Sequence, residues 1–426
     1  MPNTLVLQKV VTKKLQKFLQ DTLVLPQIAD MSLRSDLVKG NAVAFPYDNI
    51  LHARPYQRQP GNSIQEMNQT EETLVINQTP FVQTYIDELD KTQSTIDLAN
   101  RAAQKILWPL KRDIDSKGLV EVIQTTNTID NADNGGNAGD GYALSASNIR
   151  SLFTTATRKL EVVQTDMSER RIAVISPEVK QFIVDDVSSR AFEFAGKVTS
   201  SGTQALNGYL MNYLGFDVYV SNLIPSVLKA SYSGLNPANN DTFVIRFSKN
   251  GELKTYTFTF VTAIGTTAGN VLIGVDSDAT ATNLVAAINN FGGGSSAGAG
   301  VTYVPFPQND KDYGYGITAS VDTTGTGGTV TVVFRGFARC AAPARIGNTY
   351  TTNGNGATSG VKQMNLFGVQ GCIKTVLQKE PNVQINKAPD ALGHNYLGVA
   401  LHDSKAFKYD LQRMVRAEIN ALNYLS

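Results

Sequence analysis

The residues best suited to moving protons near neutral pH are the three histidines, His52, His394 and His402. Nucleophilic catalysis needs such a base beside its nucleophile. None of the three falls in an HExxH, a GxSxG or a Cys–His context. His52 lies in a polar stretch and His402 in a segment of alternating apolar residues. The carboxylate groups Glu71-Glu72, Asp87-Glu88, Asp90 and Asp185-Asp186 sit in polar neighbourhoods. Two carboxylates become an acid–base pair only when burial separates their pKa values, so these are expected to be solvated faces. The run Asp130-Asn131-Ala132-Asp133-Asn134-Gly135-Gly136 has the alternation of a calcium loop, but the bidentate Glu of the twelfth position is absent and Tyr142 follows instead. Gly265-Thr266-Thr267-Ala268-Gly269-Asn270 is glycine-spaced but opens no long helix, so it reads as a hairpin turn and not as a phosphate cradle. The short basic pairs Lys111-Arg112 and Arg170-Arg171 lack the interleaved aromatics that stack on bases. No catalytic residue, cofactor or metal site is expected, and the chain is not expected to be an enzyme.

A chain without convergent reactive groups works through its surfaces, and the elements that would present them are readable. Leu7, Val11, Leu15, Phe18 and Leu19 trace one face of an amphipathic helix that Pro26 ends. Lys39 to Asn77 is polar and punctuated by turn residues, with a hairpin tip expected at Ala53 to Asn62. Such an arm buries little of its own apolar surface and is expected to lean on something else.

From Ser94 or Thr95 as cap, Ile96, Ala99, Ala103, Ile106, Leu110 and Ile114 outline a long helix. Pro109 inside it removes an amide donor at a cost of about 3 kcal/mol, which predicts a kink or a break, and Gly118 is expected to end the second half. Ser145 or Ser147 should cap a second helix with Ile149, Leu152, Phe153, Ala156, Leu160 and Val163 on one face. A strand at Arg171 to Ile175, a helix opened by Ser176-Pro177 and an alternating strand at Phe216, Val218 and Val220 complete an α+β pattern.

At Ser226 the composition changes. Ser226 to Gln370 holds about 21 of the 35 glycines, and charged residues fall to roughly one in nine. Thr255 to Val261 and Thr329 to Phe334 alternate as strands, with one short helix at Ala279 to Asn290 and a flexible Gly292-to-Ser296 stretch after it. This predicts an inserted, essentially all-β domain of sandwich or barrel type. After Gly371 the earlier style returns, with a strand near Tyr396 to His402 and a terminal segment of open type.

The totals agree with a protein of surfaces. The chain has 426 residues, room for two or three domains. Its 38 basic and 37 acidic residues leave a formal charge of +1, without the basic surplus that grips nucleic acid. Cys340 and Cys372, the two cysteines, read as buried thiols rather than a disulfide framework. No signal peptide stands at Met1 to Val10 and no stretch approaches the roughly 18 apolar residues of a membrane span. The chain is expected to be soluble, made in a cytoplasm and without a membrane partner.

The order of these segments resembles the Hong Kong 97 capsid fold of tailed bacteriophages. The stretch that carries most of the likeness is Asn207-Gly208-Tyr209-Leu210-Met211-Asn212-Tyr213-Leu214-Gly215-Phe216, continued by the strand to Val220 and by Ser221-Asn222-Leu223-Ile224-Pro225. Phe367 to Ile373, through Pro381, is similar to the segment that re-enters the body after an insertion. An insertion at this place resembles the podovirus coat-protein subgroup, and Phe258 to Gly274 with Asn283 to Asn289 looks like a β module of several phage structural proteins.

The resemblance implies a major capsid protein that assembles into hexamers and pentamers around double-stranded DNA, without reading its sequence. It implies residence in the virion after assembly in the host cytoplasm. The portal, a separate scaffolding protein and a cement or decoration protein are the further partners it suggests. It divides the chain into an N-arm (1–38), an extended loop (39–78), a peripheral domain with the long helix (79–144), a first axial part (145–225), the inserted β domain (226–370) and a return segment (371–426). Arg54, Arg58 and Glu66 are candidate intersubunit contacts, and Pro109 is a candidate bend point. Some members of the fold join subunits by a Lys–Asn isopeptide bond; no residue here matches that chemistry, so it is not carried over. Another phage structural part, in a tail or as decoration, is the alternative, and a carbohydrate-binding or hydrolytic protein a distant third.

Overall fold

The computed structural model describes residues 23–32, 40–49, 51–56, 64–93, 98–163, 169–189, 209–232, 236–249, 252–293, 302–322, 329–336, 338–341, 346–348, 361–388 and 392–420. The expected N-arm helix, the caps Ser94 and Thr95, and Arg58 lie outside these residues. The first elements are α1 (Leu25–Ile28), β1 (Ala42–Asp48), β2 (Gln69–Val75), β3 (Phe81–Asp87), α2 (Glu88–Gln93) and α3 (Leu98–Val120). Then come β4 (Thr128–Ile129), α4 (Ile149–Val162), β5 (Arg171–Ile175), α5 (Pro177–Ser189), β6 (Tyr209–Tyr213), β7 (Phe216–Val220) and β8 (Ser226–Tyr232). Next are β9 (Thr242–Lys249), β10 (Glu252–Val261), β11 (Asn270–Leu272), α6 (Ser277–Phe291), α7 (Gln308–Gly314), β12 (Thr318–Asp322) and β13 (Thr329–Phe334). The chain closes with β14 (Ala338–Ala341), β15 (Ile346–Asn348), β16 (Val361–Val369), β17 (Lys374–Lys387), β18 (Gly393–Lys405), α8 (Lys408–Gln412) and β19 (Met414–Asn420).

The architecture is α+β. Its spine is a ten-stranded sheet in the order β12-β13-β8-β16-β5-β7-β6, with β15 on β8, β19 on β16 and β4 on β19. The central strand β16 is buried at every position, as a strand covered on both faces must be. On one side α4 lays Ile149, Leu152, Phe153, Ala156 and Leu160 against Ile175, Phe216, Val218 and Phe367. Phe153 meets Tyr213, Phe216 and Phe367 edge-on at 4.8, 5.8 and 5.0 Å. Each such ring stabilises the fold by about 1.5–3 kcal/mol through burial alone.

Two helix boundaries differ from expectation. The cap of α4 is Asn148, whose side chain accepts the Ser145 amide at 2.7 Å, so Ser145 and Ser147 precede the cap, and Val163 beyond the helix end is exposed. Helix α3 passes through Gly118 to Val120. Gly118 serves a close approach: a Cβ there would sit 2.4 Å from Leu25 Cδ1 of α1. The same helix runs unbroken across Pro109, so the proline does not divide it. Ala102, Ile106 and Leu110 pack on Tyr396 of a three-stranded sheet, β17-β18-β3, and Gly398 lets the helix in, because a Cβ there would lie 2.2 Å from Ile106 Cγ2.

The composition shift at Ser226 does not coincide with a new sheet. Strands β8, β12, β13 and β15 extend the spine, with Val361 opposite Leu228 and Val332 opposite Leu228 on the other edge. A four-stranded sheet, β11-β10-β9-β14, and α6 share one core with this extension, built on Phe243, Ile245, Phe258, Phe260, Leu284, Ile288, Phe291, Val330 and Val332. The expected hairpin at Gly265 to Asn270 is a correction: β10 and β11 run parallel, Thr259 opposite Asn270, so the loop is a crossover. The open terminal segment is a strand, β19.

Candidate functional site

The extended loop is a two-stranded arm. β1 and β2 pair antiparallel from Ala42↔Val75 to Asp48↔Gln69. Its root is anchored: Leu74 and Ile76 are buried with Val376 and Phe407, and Phe45 stacks on Phe407 at 5.0 Å. Tyr47 packs edge-on against Tyr409 at 5.6 Å, with the Lys408 ammonium 5.1 Å above the Tyr47 ring. Farther out, polar side chains hold the two branches together. Asn49 Nδ2 donates to the Glu66 carbonyl at 3.0 Å, and Gln65 bridges both backbone groups of His52 at 3.0 and 2.7 Å.

Toward the tip the arm presents apolar side chains to solvent. Leu51, Tyr56, Ile64 and Met67 are 53, 80, 92 and 67% exposed. Scattered exposed apolar residues are ordinary, but four on one projecting arm, whose root alone is buried, form a surface prepared for contact. Arg54 and Glu66 are exposed on the same arm. On the outer face of β3, Phe81 and Tyr85 are 68 and 43% exposed.

A second feature escaped sequence reading. Asp113 on α3 accepts from Arg335 Nη1 at 2.8 Å and meets His402 Nε2 at 3.1 Å. Arg335 also donates to Gln78 Oε1 at 3.3 Å. Burial by itself would lift the Asp113 carboxyl, but the His402 hydrogen bond and the Arg335 charge hold it below its ordinary range. His402 is fully buried on β18, so no substrate reaches it; with Asp113 it ties α3 to the sheet. His52 is exposed on the arm, and His394 lies on β18. Asp130 and Asp133, from the aborted calcium pattern, instead cap a turn of 3₁₀ helix at Asn131–Asn134, and Asp133 pairs with Lys159 at 2.8 Å.

No family model and no curated protein matches the sequence. Solved structures do. A chain of Mycobacterium phage Che8 aligns with a TM-score of 0.51 at 10% identity, over 96% of this chain and 96% of that one. A chain from the capsid structure of the cyanophage P-SCSP1u aligns with a TM-score of 0.51 at 11% identity, over 97% of this chain and 93% of that one. The chain has the fold of a phage capsid subunit. The arm, the spine helix α3 and the ten-stranded sheet are thus the parts of this capsid fold that position its exposed apolar surface.

Proposed function

We propose that the protein is the major capsid protein of a tailed phage, a shell subunit that works by contact area and not by catalysis. The carrying observation is extent: the likeness to the cyanophage capsid chain takes in nearly all of both chains. A tail or decoration protein built around the β module would be expected to match over that module alone. The full burial of His402 and the absence of a convergent nucleophile beside it, among the described residues, favour a non-enzymatic role.

In this reading copies of the chain meet head to tail and close into hexamers and pentamers. The arm lays the exposed apolar side chains of its branches, Leu51, Tyr56, Ile64 and Met67, on a neighbour, while Arg54, Arg58 and Glu66 set register at the rim, each exposed pair adding about 0–1 kcal/mol. Residues 226–370 brace the subunit by extending the spine sheet through β8, β13 and β16, not as a separate insert, and Pro109 is a point where α3 bends between immature and expanded shells. The shell encloses double-stranded DNA without gripping it, in keeping with a formal charge of +1. A portal, a separate scaffolding protein and a cement protein are the partners such a shell would use, and the virion is its destination.

The test is sedimentation of assembly mixtures of the wild type and of a Leu51→Asp, Ile64→Asp double variant. The wild type is expected to give fast-sedimenting particles and the variant to remain as slow species with unchanged circular dichroism. A variant that assembles as well as the wild type would remove the arm from the contact.

A further inference from the structure

A cavity of about 770 Å³ lies where α3 meets the start of β3, the end of β9 and Arg335. Among the described residues Arg112, Lys249, Lys311 and Arg335 line it, with Asp113 and Asp312 as the carboxylates; four positive charges less two negative leave a surplus of two among these residues. Asp113 has both oxygens committed, to Arg335 and to His402. Asp312 Oδ1 accepts from Gln308 Nε2 at 2.7 Å. The Lys249 ammonium donates to the carbonyls of Asp312 and Tyr313 at 3.2 and 3.1 Å and has, among the described residues, no carboxylate at ion-pair distance. Three of the cations converge from separate parts of the chain: Arg112 from the helix, Lys249 from a strand end and Arg335 from the turn after β13. Burial, and next the Arg112 guanidinium, bring Lys249 down to about 8. Arg112 is buried and Lys249, Lys311 and Arg335 are half-buried, and a partly buried surplus of like charge favours an anion in the same space.

We propose that this cavity binds a small, multiply charged oxyanion of the phosphate class, held between Arg112, Lys249 and Arg335. Guanidinium groups offer the forked donors that suit a tetrahedral oxyanion, and the lysine adds a point charge. Lys249 and Arg335 belong to the glycine-rich half of the chain and Arg112 to the spine helix. A bound oxyanion therefore bridges the two halves beside the Asp113–Arg335 pair. The site needs a single folded subunit, so it stands or falls independently of the shell role.

The test titrates inorganic phosphate into the full-length protein, followed by calorimetry and by ³¹P line broadening, with sodium chloride and sodium acetate at matched ionic strength. Saturable phosphate binding is expected, with neither chloride nor acetate reproducing it. Lys249→Gln should weaken it by about tenfold or more, the loss of a charge-assisted contact. Raising the pH from 8.5 to 10 should weaken it in the wild type as Lys249 loses its proton, while phosphate is a dianion throughout that range. This arm needs no variant. Equal response to phosphate and chloride, acetate binding in place of phosphate, or phosphate affinity unmoved both by pH and by Lys249→Gln would each overturn the assignment.

Discussion

A single carboxylate, Asp113, holds Arg335 at 2.8 Å and His402 at 3.1 Å inside the fold. Replacing it by Asn keeps the shape but leaves the Arg335 charge uncompensated, a loss of about 3–5 kcal/mol for a buried pair. Urea unfolding of Asp113→Asn should show a midpoint lowered accordingly at neutral pH. Because the folded carboxyl lies below its ordinary value of 3.8, its contribution is complete above that pH and is lost as the pH falls through the folded value. The difference between wild type and variant should therefore shrink in acid. Lys249 has a dependence of the same sign in a more alkaline window. Its folded value of about 8 lies below the ordinary 10.5, so the unfolded chain binds more protons between these limits and stability rises with pH across them. In chloride buffer, thermal midpoints of the wild type should gain on those of Lys249→Met from pH 8 to 10. The sequence marked His402 as a strand residue without a catalytic role, but its partner lies 289 positions away, and no local pattern announces such a pair.

Among the elements, α3 is the one whose sequence and structure pull apart. Pro109 lacks the donor that would reach the Lys105 carbonyl, yet the helix continues from Leu98 to Val120 because its faces are clamped by α1, β17 and β18. Pro109→Ala should then raise equilibrium stability by about 1–3 kcal/mol in denaturant titrations, and it should slow shell expansion if the proline is the bend point. Gly118→Ala should do the reverse: the added methyl meets Leu25, and overpacking of this kind costs about 1–3 kcal/mol, measurable in the same titrations.

Strong alternation made several elements legible before any coordinates. Thr329–Phe334 was outlined to the residue because β-branched and aromatic side chains at period two suit a half-buried strand, and Arg171–Ile175 because it is a short apolar run, buried at four of its five positions. The face of α4 was legible for the same reason at a helical period, whereas its cap was not, since Ser145, Ser147 and Asn148 are all competent and only tertiary geometry selects Asn148. Parallel pairing of β10 and β11 was hidden because a short glycine-spaced loop normally signals a hairpin. The burial of the polar residues Arg112, Asp113, Asp115 and Ser116 on α3 left no local signal, because it comes from segments distant in sequence.

For the whole molecule, the long-range order of segments was readable as a capsid-like plan, while the joining of the glycine-rich half to the spine through β8, β13 and β16 was not. Composition sees a change of style at Ser226; hydrogen bonding ignores it. The arm is anchored at Phe407 and leaves Leu51, Tyr56, Ile64 and Met67 exposed, the surface that the proposed shell role would cover. The measurement that reaches this most directly is cryo-electron microscopy of the purified chain under assembly conditions, alone and with a candidate scaffolding protein. Closed shells or capsomers are expected, with density for the Leu51-to-Met67 arm lying over a neighbouring subunit. A sample of single, unassociated subunits under every condition would contradict it.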